Sequence, residues 1–359
     1  MDDAALLRSV LPRFAGDFGD RPPIEPFGRG HVNGTYLVKT EPPVVLQRIN
    51  RAVFPRPDRV AENVARVTAY LKERISRDGG DPERETLTLI PDRETGLPYV
   101  IRDGECYRLT RLIPNAESCE AAEPDSLYRA AKTFGLFLRR LDGFPAETLH
   151  EVIPRFHDTR ARLEQLKTAI GSDSVGRAAS VKPEIEFALS RESDCGVIVD
   201  GLAAGEIPLR VSHNDTKLNN FLFDKDSGEC VALIDLDTVM PGSLLYDYGD
   251  ALRFAASSAP EDETDLSRVF FRRENIAAFT RGFLEEFGAV LTPRERELLP
   301  FSIKLMTLEC GMRFLADYIS GDVYFKTDYS EHNLDRARNQ FALVADIEPQ
   351  LADLARLTE

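Results

Sequence analysis

An α+β chain in two lobes is predicted, a small β-rich N-terminal lobe with one main helix followed by a larger, mostly helical C-terminal lobe. Three observations predict it. Short β-prone runs cluster in roughly the first hundred residues, and apolar residues at helical spacing dominate the remainder. The length of 359 residues also exceeds what one hydrophobic core usually reaches.

Thr35–Thr40 and Val44–Ile49 are β-prone runs separated by Glu41-Pro42-Pro43, which reads as a hairpin. Pro55 and Pro57 precede a stretch from Arg59 to Arg74 in which Val60, Val64, Val67 and Leu71 recur at helical spacing, so one amphipathic helix follows. The alternating run Cys106–Ile113 ends at Pro114-Asn115. The lobe boundary is placed there, giving an N-terminal lobe over 1–114 and a C-terminal lobe over 115–359. Beyond it Leu127, Ala131, Phe134, Leu138 and Leu141 mark a helix, with Asp125 or Ser126 as its cap and Gly143 as its stop. Leu334, Ala337, Phe341 and Val344 mark a last helix that runs until Pro349.

Composition excludes several classes of function. With 43% apolar and 29% charged residues the chain reads as ordinary globular protein, and no apolar run approaches the ~18 residues that would span a bilayer. A net charge of −15 disfavours nucleic acid as a partner, because a phosphate backbone needs an electropositive footprint. The five cysteines are scattered, with no CxxC pair, and are expected to be reduced, mostly buried thiols. No basic segment followed by an apolar core opens the chain, so a cytoplasmic protein is expected, and a monomer is the separate expectation for its assembly.

The chemistry concentrates in Val211–Phe223 and Cys230–Asp237. The first contains H-x-D-x-x-x-x-N as His213, Asp215 and Asn220. Phosphoryl transfer needs a carboxylate to orient the attacking hydroxyl and take its proton, and oxygen ligands to hold Mg2+ against the phosphates of ATP; a kinase catalytic loop supplies both at this spacing. Asp215 is the candidate base and Asn220 a candidate metal ligand. Phe221–Phe223 and Val231–Ile234, joined by the turn 224–228, read as a second hairpin. Its open end places Asp235 beside Asn220, as a second oxygen ligand for a cation that takes few protein ligands. Lys217, two residues after the base, is a candidate to offset charge on the transferring phosphoryl group, although an exposed charge is the competing reading. His213 is read as a structural core histidine, and Asp247 and Asp250 as carboxylates that brace the loop.

Phe27–Tyr36 is a glycine-bearing turn entering a strand, and Gly28 and Gly30 permit backbone N–H groups to approach phosphate closely, although such a turn is often only a turn. No GxxxxGK[ST] element occurs, which disfavours a P-loop enzyme.

His213–Asn220 and Ile234-Asp235 resemble the catalytic and metal motifs of the aminoglycoside phosphotransferase and choline kinase superfamily, whose members have a protein-kinase-like fold and phosphorylate small molecules. Gly28–Asn33, Val45–Asn50, Arg155–Thr159, Pro208–Asn220, Ile234–Ser243 and Glu309–Tyr318 are further similar to the N-acetylhexosamine 1-kinases within it. The resemblance implies ATP- and Mg2+-dependent phosphorylation of the anomeric hydroxyl of N-acetylglucosamine or N-acetylgalactosamine. It also implies a sugar pocket lined by His31, Asp215, Phe254, Arg313 and Tyr324, with Ile24 nearby, and an adenine hinge near Leu112–Pro114. Without it, Arg313 reads as a surface salt bridge and Tyr324 as a packed core ring. One departure stands out: many relatives carry a lysine on the second strand to hold the α- and β-phosphates, whereas Gln47 and Arg48 occupy that stretch here. The competing readings are a kinase of the same fold acting on homoserine, choline or an aminoglycoside, and a pseudokinase that binds without transferring phosphate.

Overall fold

The computed structural model describes residues 3–28, 32–119 and 122–359. The chain divides into two compact units, each assembled from separate segments: 1–118, 140–154 and 221–241 form one, and 119–139, 155–220 and 242–359 the other.

The first unit is built on an antiparallel sheet. Its strands are β1 (Ile24–Pro26), β2 (Gly34–Val38), β3 (Val44–Ile49), β4 (Leu89–Ile90), β5 (Val100–Arg102) and β6 (Glu105–Arg111), in the order β1-β2-β3-β6-β4 with β5 also on β6. The expected hairpin is β2–β3, with Leu37 opposite Val45. Period-2 alternation gives the sheet two chemically distinct faces. Leu46, Tyr107 and Leu109 point to one, where they pack with Leu7, Val10, Leu11 and Phe14 from helix α1 (Asp3–Val10) and the turn after it. Gln47, Arg108 and Thr110 point to the other. Helix α2 (Pro57–Arg77) starts with Pro57 in its first turn and buries Val60, Val64, Val67, Leu71 and Ile75 along one stripe.

A smaller sheet in the same unit pairs β7 (Ala116–Ser118) with Phe221–Asp224, which pairs in turn with Cys230–Leu233. This is the second expected hairpin, with Phe221 opposite Leu233 and a bulge between Cys230 and Ala232. Asp224 closes its turn by accepting the backbone N–H groups of Asp226 (3.1 Å) and Ser227 (2.8 Å).

The second unit is helical: α3 (Pro124–Leu141), α4 (Thr159–Ser172), α5 (Lys182–Leu189), α6 (Val197–Ala203), α7 (Leu244–Ala255), α8 (Arg273–Phe287), α9 (Pro293–Ser320), α10 (His332–Ile347) and α11 (Leu351–Ala355). The cap of α3 differs from the expectation. Its first turn opens at Pro124, and Ser126 acts from inside that turn, its hydroxyl taking the Glu123 N–H at 3.2 Å. Gly143 does follow the helix in a left-handed conformation at φ +81°. Helix α9 is the axis of this unit, opened by a capping box between Thr292 and Glu295 and closed by Gly321 at φ +96°. Among the described residues no helix is long and apolar enough to cross a membrane.

Candidate active site

The loop after the extended stretch Arg210–Ser212 carries the H-x-D-x-x-x-x-N residues, and buried polar groups of the second unit fix it at both ends. Arg210 donates to Glu295 Oε1 at 2.6 Å, tying the loop's entry to the start of α9. Asp247, fully buried on α7, accepts the backbone N–H of His213 at 2.8 Å and of Asn214 at 2.6 Å. Thr216 closes the bracket by donating its hydroxyl to the Asp247 carbonyl at 2.6 Å. Burial pushes the Asp247 carboxyl up to about 7, against the pull of those two N–H donors. Asn214 adopts φ +63°, a left-handed conformation the bracket holds in place. His213 is buried, and its Nδ1 accepts the Asp215 N–H at 3.2 Å.

Three predicted residues come together here. Asp215 Oδ1 lies 2.8 Å from Lys217 Nζ, and Asp215 Oδ2 accepts from Asn220 Nδ2 at 3.1 Å. Asn220 also donates to the Asp215 carbonyl at 2.8 Å. Burial works to lower the Lys217 ammonium, but the Asp215 carboxylate offsets this and holds it above its ordinary value. Since Asn220 uses its amide nitrogen twice on Asp215, its side-chain oxygen is left as an acceptor with no hydrogen-bond donor among the described residues. A buried amide oxygen beside a carboxylate is a donor set suited to a hard cation such as Mg2+.

Asp235 belongs to the other unit. It follows the hairpin strand that ends at Leu233, is exposed, and adopts φ +58° immediately before the short 3-10 turn Leu236–Thr238. Asp237, in that turn, is buried. Its Oδ1 pairs with Arg108 Nη1 at 2.6 Å, and its Oδ2 accepts from Asn33 Nδ2 at 2.6 Å. Gly28 is exposed with φ +75°, and a Cβ there would meet nothing within 4 Å. Gly30 and His31 lie outside the described residues. After β6, the Leu112 N–H is donated to the Pro43 carbonyl at 3.2 Å.

Of the acceptor residues implied by resemblance, Asp215, Phe254, Arg313 and Tyr324 belong to the second unit and Ile24, on β1, to the first. Arg313, on α9, is half-buried, with its guanidinium carbon 5.8 Å from the Phe156 ring centre and 5.5 Å from that of Phe325. Its charge helps to hold the buried Glu309 carboxyl low, but no hydrogen bond or ion pair of Arg313 is found among the described residues, so it is not the surface salt bridge that its type suggests. Tyr324 stands edge-on to Phe325 at 4.8 Å and is 71% exposed, not a packed core ring. Phe254, at the end of α7, is likewise exposed.

Sequence reasoning missed the residue that presents Tyr324. Asp317, buried in the last turn of α9, accepts the backbone N–H groups of Val323 (3.0 Å), Tyr324 (2.8 Å) and Phe325 (2.9 Å) and the Asn333 side chain (2.9 Å). Its only local signal is an aspartate shortly before a glycine that ends a helix. A second buried group, Glu309, accepts from Thr159 Oγ1 at 2.6 Å and sits 2.9 Å from His157 Nδ1. Burial raises the Glu309 carboxyl, but the bond to His157 outweighs it and the net direction is below the ordinary value. Of the five cysteines, Cys106 and Cys195 are fully buried and Cys119, Cys230 and Cys310 partly so.

A sheet unit with one long helix, a helical unit, and a braced H-x-D-x-x-x-x-N loop define the class: the protein-kinase-like phosphotransferases. The family model described as the phosphotransferase enzyme family (APH) matches residues 23–287, well over half of the chain, and the chain belongs to that family. Among solved structures, an aminoglycoside phosphotransferase from Alicyclobacillus acidocaldarius is similar at 13% identity, with a TM-score of 0.60 over 98% of this chain and 96% of that one. A choline/ethanolamine kinase family protein from Mesorhizobium loti matches at 18% identity and a TM-score of 0.54, over 96% and 94% of the two chains. A spectinomycin phosphotransferase solved with ADP and spectinomycin matches at 13% identity and a TM-score of 0.53, over 97% of each chain. At these identities the likeness is one of fold, and it agrees with the α+β, kinase-like architecture expected from sequence.

Proposed function

We propose that the protein transfers the γ-phosphoryl group of ATP to the anomeric hydroxyl of an N-acetylhexosamine. The observation that carries the phosphotransfer reading is the Asp215 carboxylate, held between Lys217 and Asn220 on a loop braced from below by Asp247. Each carboxylate oxygen in this arrangement has accepted one hydrogen bond and keeps capacity for another, so Asp215 can accept the bond of an incoming hydroxyl. As the oxygen–phosphorus bond forms, the hydroxyl proton passes to Asp215 and the bond from phosphorus to the ADP oxygen breaks. Lys217 is placed to swing from Asp215 toward the transferring group and offset its charge. Asn220 and Asp235 would hold Mg2+, which supplies charge neutralisation for the phosphates when bound. In this reading the glycine turn at Gly28 and Gly30 approaches the nucleotide, with residues 1–114 serving nucleotide binding and 115–359 catalysis and acceptor binding.

The acceptor assignment draws on the sequence resemblance at His31, Phe254, Arg313 and Tyr324, and on the chemistry of two of them. A guanidinium seated near two phenylalanine rings, with no direct hydrogen bond to a carboxylate among the described residues, suits an acetamido carbonyl or a ring hydroxyl oxygen. It repels a quaternary ammonium or a polycation, which weighs against choline or an aminoglycoside at that position. The exposed Tyr324 ring offers an amphipathic wall of the kind that packs against a sugar face.

The test is incubation with ATP, Mg2+ and N-acetylglucosamine or N-acetylgalactosamine, with choline, homoserine and kanamycin in parallel. ADP release with formation of an acid-labile sugar 1-phosphate is expected. Turnover of choline, homoserine or kanamycin alone would replace the sugar assignment, and ATP binding without transfer to any acceptor would leave the pseudokinase reading.

A further inference from the structure

The first unit contains a buried ion pair that the phosphotransfer chemistry does not use. Arg108 on β6 is 1% exposed and Asp237 is 4% exposed, with Nη1 and Oδ1 2.6 Å apart. The second guanidinium nitrogen of Arg108 donates to Gln47 Oε1 at 2.6 Å, directly across the β3–β6 register. The second oxygen of Asp237 accepts from Asn33, whose own side-chain oxygen takes the Asn50 N–H at 2.9 Å. Two residues on, the Val239 carbonyl accepts from Asn63 of α2 at 2.9 Å.

Such a pair is a poor device for stability alone. Taking both charges out of water is costly, and packed apolar side chains of similar volume often do as well. What it does is fix geometry. The segment after Asp235 is clamped at Asp237 from β6 and from the glycine turn, and at Val239 from α2. Asp235 sits at the upstream end of these clamps in a left-handed backbone conformation that L-residues seldom adopt unless held there. Without the clamps the backbone would relax to a commoner conformation and re-aim the carboxylate.

We propose that Arg108, Asp237 and Asn33 are positioning residues for Asp235, and that their network sets the affinity of the site for the Mg2+–nucleotide. Asn33, just before β2, holds the same carboxylate from a second side. This inference rests on the phosphotransferase reading with Asp235 as a metal ligand.

The experiment measures binding of a non-hydrolysable ATP analogue by calorimetry across a Mg2+ series for the full chain and for Asp235→Asn, Asp237→Asn, Arg108→Lys and Asn33→Ala, with cooperative unfolding checked for each. Asp237→Asn and Arg108→Lys are expected to raise the Mg2+ concentration at half-saturation about tenfold, the scale on which partners of metal ligands act, with metal-free analogue binding and acceptor KM changed less than about twofold. Asn33→Ala leaves the buried pair intact, and a rise of about threefold is expected; it reads the effect even where the pair variants do not fold. If Asp235→Asn abolishes the Mg2+ dependence while folded clamp variants keep the wild-type half-saturation, the positioning role is overturned and the phosphotransferase reading stands. If the wild-type chain itself shows no Mg2+-dependent binding, both fall.

Discussion

Asn220 gives both hydrogens of its side-chain amide to Asp215, at 2.8 Å to the backbone carbonyl and 3.1 Å to carboxylate Oδ2. The two residues therefore form one rigid group, in which the orientation of the proposed base and the direction of the amide oxygen are set together. A single loop thus holds the proposed proton acceptor and one proposed cation ligand at fixed separation, which is what transfer to a bound hydroxyl demands.

Replacing Asp215 with Asn keeps that hydrogen-bonded shape and removes the proton acceptor. Nucleotide affinity is expected to stay within about threefold while kcat falls by ~10^3 or more. Unchanged kcat in steady-state assays would take Asp215 out of the base role.

Arg313 is expected to act on the acceptor and not on the nucleotide. Arg313→Lys exchanges a planar cation stacked between Phe156 and Phe325 for a point charge, and acceptor kcat/KM should drop about a hundredfold with ATP KM within about twofold. Comparable losses for both substrates would mean that the residue supports the fold and not the pocket.

Asp317→Ala frees three backbone N–H groups in the loop that presents Tyr324. A rise of about tenfold in acceptor KM with kcat less affected is the expected signature, because the tyrosine is still present but no longer held. Tyr324→Phe serves as the reference; if it and Asp317→Ala both leave KM unmoved, the loop takes no part in binding.

Asp247 gives a pH signature. Its carboxyl is raised in the folded chain to about 7 from an ordinary 3.8, so its contribution to stability is fully present below pH ~4 and is lost as pH rises through about 7. Asp247→Asn removes that titration, though its amide can accept only one of the two N–H groups and costs ~1–3 kcal/mol. Wild-type stability relative to the variant should therefore decline between pH 5 and 7.5 in urea unfolding. A flat difference would show that the two N–H donors keep the carboxylate ionised throughout.

Gly249 tests the scaffold beneath the loop. A Cβ there would lie 2.3 Å from the Ser302 carbonyl oxygen and 2.7 Å from Met306 Cγ on α9. Gly249→Ala should cost about 2–3 kcal/mol of unfolding free energy by forcing α7 off α9. A loss below about 0.5 kcal/mol would mean that the two helices separate without strain.

By itself the sequence determined the elements and their chemistry. Period-3.6 stripes such as Val60, Val64, Val67 and Leu71 place α2, and proline-bounded β-prone runs place β2–β3, because such patterns depend on neighbours a few residues away. The grouping of Asp215, Lys217 and Asn220 was legible for the same reason, since one short loop carries all three. Only the tertiary structure decided what meets across long separations. Asp247 braces a loop some thirty residues upstream, and Arg108 is paired with a carboxylate far along the chain. Arg313 looked like a surface charge and Tyr324 like a core ring because residue type reports average preference. Each is instead placed by a particular environment: two phenylalanine rings for the arginine, and a buried aspartate's hold on the loop backbone for the tyrosine. Burial and partner geometry are sums over the whole fold, and no local window of sequence contains them.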